Sequence, residues 1–137
     1  MRTLYDEIAA LATEQGVTVE SGYAAELNGM RRVYPMLLWI PADPKKFEGR
    51  GKQRYITYHC RFYLMDKDDR KMPAADREQK WAEMERQAYA MVLKLGETDT
   101  VQRIEDIGGE RDKHMLTPDG EISVKMEFTC QYIPCDD

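Results

Sequence analysis

A chain of 137 residues, 42% hydrophobic and 33% charged, is long enough for one real core and has a globular rather than a disordered composition. Its net charge of −5 argues against a general nucleic-acid binder. No apolar run approaches the roughly 20 residues of a membrane helix; the longest, Met36 to Ile40, has strand length.

Thr3 followed by Asp6 has the form of a capping box, Leu4, Ile8 and Leu11 make a narrow apolar stripe, and Gly16 stops this first helix. The stripe suits the margin of a sheet or a neighbouring subunit. The opening segment is amphipathic and lacks the apolar stretch of a signal peptide, which predicts a protein that is not exported. Val17 to Leu27 reads as a strand. Asn28-Gly29, the strongest short hairpin signal, then turns the chain so that Met30 to Ile40 returns antiparallel, with Pro35 at an edge or bulge. Tyr34, Met36, Leu38 and Ile40 share one face of that strand, and Val33, Leu37 and Trp39 the other. It is therefore buried on both sides or offers Leu37 and Trp39 to a partner. Pro41 to Arg54 holds Pro41, Pro44, Gly49 and Gly51 and no apolar period, which predicts a long loop that either binds something or is disordered. Its charge is +3, from Lys45, Lys46, Arg50, Lys52 and Arg54 against Asp43 and Glu48.

From Tyr55 to Met65, Ile56, Tyr58, Cys60, Phe62 and Leu64 alternate with polar and aromatic residues, the period of a strand with one apolar face. A charged connector, Asp66 to Met72, leads to the main helix, Asp76 to Leu95. Asp76 and Gln79 have capping-box spacing, and Gly96 is placed to end the helix at positive φ. Trp81, Met84, Ala88, Met91, Val92 and Leu95 make its apolar stripe. Glu97 to Glu121 is acidic, with eight carboxylates against three basic residues, a balance of −5. Val101 to Ile107 is a predicted strand broken by Gly108-Gly109, and Pro118-Asp119-Gly120 is a turn. The connection from Gly109 to Pro118 carries no readable period. Ile122 to Tyr132 alternates again, and residues 133–137 form a short tail. The order α-β-β-β-α-β-β, in one domain over residues 1–137, predicts an α+β fold. Its antiparallel sheet of four to five strands carries the long helix and the short N-terminal helix on one face.

No motif in this pattern points to catalysis. His59 and Cys60 are adjacent on a strand and face opposite ways, and Cys130 and Cys135 have no second pair, so no metal site is expected. Cys60 and Cys130 face the predicted core as reduced thiols, which suits a cytoplasmic protein. Cys135 stands beside two aspartates that disfavour a thiolate. Glu105, Asp106, Glu110 and Asp112 lack calcium-loop spacing and read as solvated surface. Gly108-Gly109 is followed by neither a Lys-Ser/Thr pair nor a helix start, so it is not a phosphate loop. The basic loop has only Phe47 as an aromatic, too few for specific nucleic-acid binding. Tyr55, Arg61 and Tyr63, on the outer face of the third strand, are residue types enriched at interfaces, and Tyr and Thr also suit any exposed strand.

The order of elements resembles a family. A short helix, a hairpin ending in YPMLLWIP (34–41), a variable loop and the strand YITYHCRFYLM (55–65) come first. The helix DREQKWAEMERQAYAMVLKL (76–95), IEDIGG (104–109) and the strand ISVKMEFTCQY (122–132) follow. In this order the chain resembles the tail-terminator and tail-completion proteins of long-tailed bacteriophages and prophages. The resemblance implies a non-enzymatic virion protein without cofactor. Such a protein self-associates as a ring at the head–tail junction, against tail-tube or head–tail connector proteins, cytoplasmic during assembly and then part of the virion. A connector protein and a small-molecule-binding α+β domain are the alternatives. In a ring, the basic loop (Lys45, Lys46, Arg50, Lys52) is expected to face a neighbour's acidic segment. Leu37 and Trp39 are then the expected apolar contacts.

Overall fold

A computed structural model describes residues 2–50, 53–68, 71–112 and 120–134. The elements are α1 (Leu4–Glu14), β1 (Thr18–Ser21), a 3-10 helix (Ala24–Gly29), β2 (Met36–Arg50), β3 (Gln53–Lys67), α2 (Ala74–Leu95), β4 (Val101–Asp112) and β5 (Glu121–Tyr132). The strands form one sheet in the order β1-β2-β3-β5-β4. It is an α+β fold, with a mixed sheet: β1 runs parallel to β2, and every other pair is antiparallel.

The centre follows the alternation in the sequence. β3 and β5 pair without a register shift from Ile56↔Tyr132 to Lys67↔Glu121. Phe62 therefore stands beside Met126, Cys60 beside Phe128 and Leu64 beside Val124, and all six are buried. The register of β2 adds Leu37 beside Leu64 and Trp39 beside Phe62. Trp39 meets the Phe62 and Phe128 rings at centroid distances of 6.4 and 6.2 Å. On this layer α2 lays Met84, Ala88, Met91, Val92 and Leu95, and α1 lays Leu4, Ile8 and Ala12. Each large side chain buried here contributes about 1.5–3 kcal/mol.

α1 has the predicted capping box, with the Asp6 amide on Thr3 Oγ1 at 3.2 Å and the Thr3 amide on Asp6 Oδ2 at 2.7 Å. Gly16 takes φ 74° just past its end. α2 differs from expectation at both ends. It starts at Ala74 after Pro73, whose carbonyl accepts from the Arg77 amide, so Asp76 and Gln79 lie inside the helix and form no box. Two alanines after a proline are a stronger start than an Asp two residues later. Gly96 keeps a right-handed φ of −65°. A Cβ there would stand 3.2 Å from Ile104 and 3.3 Å from the Leu93 carbonyl, so its smallness serves the approach of β4.

The predicted first hairpin does not form. β1 has four residues, and Asn28-Gly29 closes the 3-10 helix instead of a two-residue turn. Parallel β1 and β2 need a longer crossover, which the segment from Gly22 to Pro35 supplies. The reason lies on the outer face of β2, where Met36, Leu38 and Ile40 need cover. The 3-10 helix drops Leu27 onto them, and with Met65 they form a second core. Both faces of β2 are thus occupied. Leu37 and Trp39, expected as partner contacts, are 0% and 2% exposed inside the main core. Pro35 precedes β2, joined to Tyr34 by a cis peptide bond, and makes no bulge in it.

Gly108-Gly109 do not end β4. Asp106 takes φ 53° where the register shifts between Glu105 and Gly108, and both glycines stay paired, opposite Glu127 and Met126. This is a bulge in an edge strand, a common way to re-aim or blunt one. Most of the Gly109–Pro118 connection, the Pro118-Asp119 part of the predicted turn and Cys135 lie outside the described residues.

Trp81 is half-buried, packed against the rim of the main core, whereas Trp39 is enclosed by it. Trp39→Ala should cost about 3–5 kcal/mol in urea unfolding, clearly more than Trp81→Ala. Equal losses would show that the helix rather than the β2 tryptophan anchors the core.

Candidate functional site

The segment predicted as a long basic loop is a two-stranded arm. β2 continues to Arg50 and returns as β3 from Gln53, with register shifts between Ile40 and Asp43 and between Pro44 and Lys46. β1 accompanies β2 only as far as Trp39, and β5 begins to pair with β3 at Ile56. From Ile40 to Phe47 the ribbon still lies beside β3 residues that β5 flanks, and Ala42 packs against the main core; Glu48–Arg50 and Gln53–Tyr55 extend beyond, supported among the described residues by their own pairing. Pro41 and Pro44 remove two amide donors, and the shifts bend the strand, so its free edge is a poor template for another strand. The loop reading failed because two prolines and two glycines hide the pairing of Phe47 with Ile56 and of Glu48 with Tyr55.

The arm carries exposed Lys45 and Lys46, with Lys46 Nζ 2.6 Å from Glu48 Oε1. Arg50 closes β2 opposite Gln53, and Lys52 lies outside the described residues. Phe47 is 70% exposed, more than any other large hydrophobic residue described. Arg54 lies two residues along β3 from Ile56, the partner of Phe47, so it shares that face of the ribbon.

On the side of the sheet away from α1 and α2, Tyr55, Arg61 and Tyr63 are half-buried. Arg61 Nη2 donates to Asp43 Oδ2 at 3.3 Å, and Tyr63 packs against the second core. His59 Nε2 is 3.8 Å from Glu127 Oε2, and Lys125 Nζ is 3.1 Å from Glu127 Oε1. The hydrogen bond to Glu127 holds the Lys125 ammonium above its usual range. These side chains hold one another in place along the strands. Among the described residues no group of three His, Cys, Asp or Glu is placed to hold a metal ion. Cys60 is buried, and its hydrogen bond with Cys130, together with burial, pushes its thiol far above the usual range, the opposite of a nucleophile.

The second candidate surface is a groove of about 550 Å³ between α2 and β4. Ile107, Val124 and Met126 line its apolar part, Gly108 and Gly109 form a bare wall, and Glu85, Arg86, Tyr89, Glu110 and Arg111 surround it. A Cβ on Gly109 would meet Met126 Sδ at 2.8 Å. Arg111 closes one end. It donates to both Glu78 oxygens at 2.6 and 2.7 Å and to Glu85 at 2.6 Å, and lies 5.6 Å over the Trp81 ring. The Glu78 bond raises the Arg111 pKa and depresses that of Glu78. Periodicity did not find this groove. One signal was present: Tyr89 and Leu93, 50% and 46% exposed, form an i, i+4 apolar pair off the buried stripe of α2.

No protein-family model matches this sequence, and neither does any curated protein.

The Arg111 clamp is testable by itself. Arg111→Met should lower the thermal midpoint, and adding Glu78→Gln or Glu85→Gln should change little more, because the three act as a unit. Glu78 has a depressed folded pKa, so its contribution is complete above the ordinary carboxylate range and is lost as pH falls through that depressed value. A deficit in Arg111→Met that persists unchanged in strong acid would assign the clamp to stacking on Trp81.

Proposed function

We propose that this chain is a non-enzymatic virion assembly protein of a phage or prophage, a tail terminator or completion protein acting as a ring at the head–tail junction. The single observation that carries the reading is the arm. A compact α+β body that carries a basic ribbon with an exposed phenylalanine at its base, Phe47, is suited to meeting another protein surface. The succession of the later elements read from the sequence, a long strand, the main helix and the last two strands, resembles the tail-terminator family and supports the same reading. So does the charge pattern, with a basic arm at one edge of the sheet and an acidic β4 at the other. Rings have heterologous interfaces, one surface of each subunit meeting a different surface of the next. Opposite charge on the two edges favours that order over like-with-like contact.

Exposed ion pairs contribute only ~0–1 kcal/mol each and are screened beyond roughly 8 Å at physiological salt. They set register, and apolar contacts supply most of the energy. Since Leu37 and Trp39 belong to the core, that role falls to the exposed Phe47, Tyr89 and Leu93. The groove beside β4 is the observation that favours the alternative of a small-molecule-binding domain, which predicts a ligand-dependent rise in melting temperature.

Electron microscopy of particles made without the protein tests the reading. A terminator's absence should leave tails of uncontrolled length. A connector's absence should leave tails of normal length unjoined to heads. Normal particles would refute both. In the same system, reversing Lys45, Lys46, Arg50 and Lys52 to Glu should impair ring or tail formation at low salt. Wild-type assembly by that variant would remove the basic charge of the arm from the mechanism.

A further inference from the structure

We infer that Asn28-Gly29 is a site of spontaneous covalent modification, at which the chain cyclises through the Asn28 side chain and reopens in part as isoaspartate.

Asn28 is the only asparagine in the sequence, and a glycine follows it. The usual structural reasons for this pair do not apply. No two-residue hairpin turn forms here, Gly29 has no positive φ, and a Cβ on it would find nothing within 4 Å. Glycine does supply an unhindered backbone amide next to a side-chain amide. Both residues are exposed, and the Asn28 side chain has no hydrogen bond or ion pair among the described residues.

The residues on either side are held. Leu27 is fully buried in the second core, and its carbonyl accepts from the Met30 amide at 3.1 Å and from Arg32 Nη1 at 2.8 Å. Met30 packs against the same core and is already extended, at φ −93° and ψ 151°. Asn28 and Gly29 are thus the loose end of a six-residue 3-10 helix. A helical ψ keeps the Gly29 nitrogen away from the Asn28 side chain, so reaction waits on opening of this last turn. Terminal turns open at almost no cost, and 3-10 hydrogen bonds have poor geometry.

The chemistry needs only water. The Gly29 nitrogen, on losing its proton, bonds to Asn28 Cγ. The Cγ–Nδ2 bond breaks, and the side-chain nitrogen leaves with that proton as ammonia. Water then opens the ring. Attack at Cγ gives aspartate; attack at the main-chain carbonyl gives isoaspartate, whose backbone runs through Cγ and is longer by one methylene.

The two products differ in what they do to the fold. Aspartate puts a charge at an exposed position close in sequence to exposed Arg31 and changes stability little. Isoaspartate inserts its methylene between Leu27 and Met30, two anchored residues, so their hydrogen bond or their seat on the second core must yield. Leu27 covers Met36, Leu38 and Ile40, and the modified chain therefore loosens that core.

The test incubates the full chain at mildly alkaline pH and then digests it with trypsin. Protein isoaspartyl methyltransferase should label the peptide of residues 3–31, and its mass should show ammonia lost and water gained. Gly29→Ala, which suits the open space and the ordinary φ, should abolish the conversion over the same incubation without lowering the unfolding midpoint. Freshly prepared Asn28→Asp should melt with the wild type, and the isolated isoaspartyl form should melt below both. An unchanged 3–31 peptide, or a Gly29→Ala chain that converts as fast as wild type, would overturn the site. An isoaspartyl form that melts with the wild type would overturn its effect on the second core.

Discussion

The structure depends on the aromatic seam where Trp39, Phe62 and Phe128 meet beneath α2. Three adjacent strands, β2, β3 and β5, each send one ring or more into it, so their register is set by packing as well as by backbone hydrogen bonds. A slip of one residue would carry Phe62 and Phe128 to the polar side and bring Arg61 and Glu127 inside. That cost holds the long β3–β5 pairing in a single register. α1 and α2 close the layer together, and Tyr132 ties its hydroxyl to the Arg2 carbonyl at the same end.

The arm follows from lengths. A helix of 22 residues covers about 33 Å, whereas strands of 15 residues reach about 50 Å. What exceeds the cover must find another use for its faces. On the outer face of β2, Met36, Leu38 and Ile40 are roofed by the 3-10 helix and form the second core. Toward its far end the strand loses cover, and its composition changes accordingly, from Met36–Ile40 with no charge to a stretch of prolines, lysines and one exposed phenylalanine, with Ala42 still packed on the main core. The same strand is thus a core element at its start and a largely exposed one from Pro44 onward.

β4 shows the complementary solution at the opposite edge. Charges, a bulge at Asp106 and two glycines keep it from pairing indiscriminately, and Arg111 fastens it to α2 through two carboxylates and Trp81. The fastening lies near the end of the strand, so a groove remains between helix and strand before it. Both edges of the sheet are therefore unsuited to plain strand addition, yet each presents a shaped surface.

The sequence by itself determined the alternation of β3 and β5, the buried stripe of α2, the capping box of α1 and the α+β class. Each of these is a local period or a contact within one turn, readable because the side chains repeat at 2.0 or 3.6 residues. Tertiary structure decided what local signals misstate. Asn28-Gly29 has the chemistry of a hairpin turn, and the need to cover Met36, Leu38 and Ile40 made it the end of a 3-10 helix instead. Pro41 to Arg54 has the composition of a loop, and cross-strand pairing with β3 made it an arm. Gly108-Gly109 looks like a break, and β5 holds it in the sheet. Leu37 and Trp39 could have served a core or a partner equally well, and only the arrival of α1 and α2 on that face decided between them. The groove beside β4 was least legible of all, because its walls come from three elements whose lining residues stand 13 to 41 positions apart and that only the folded chain brings together.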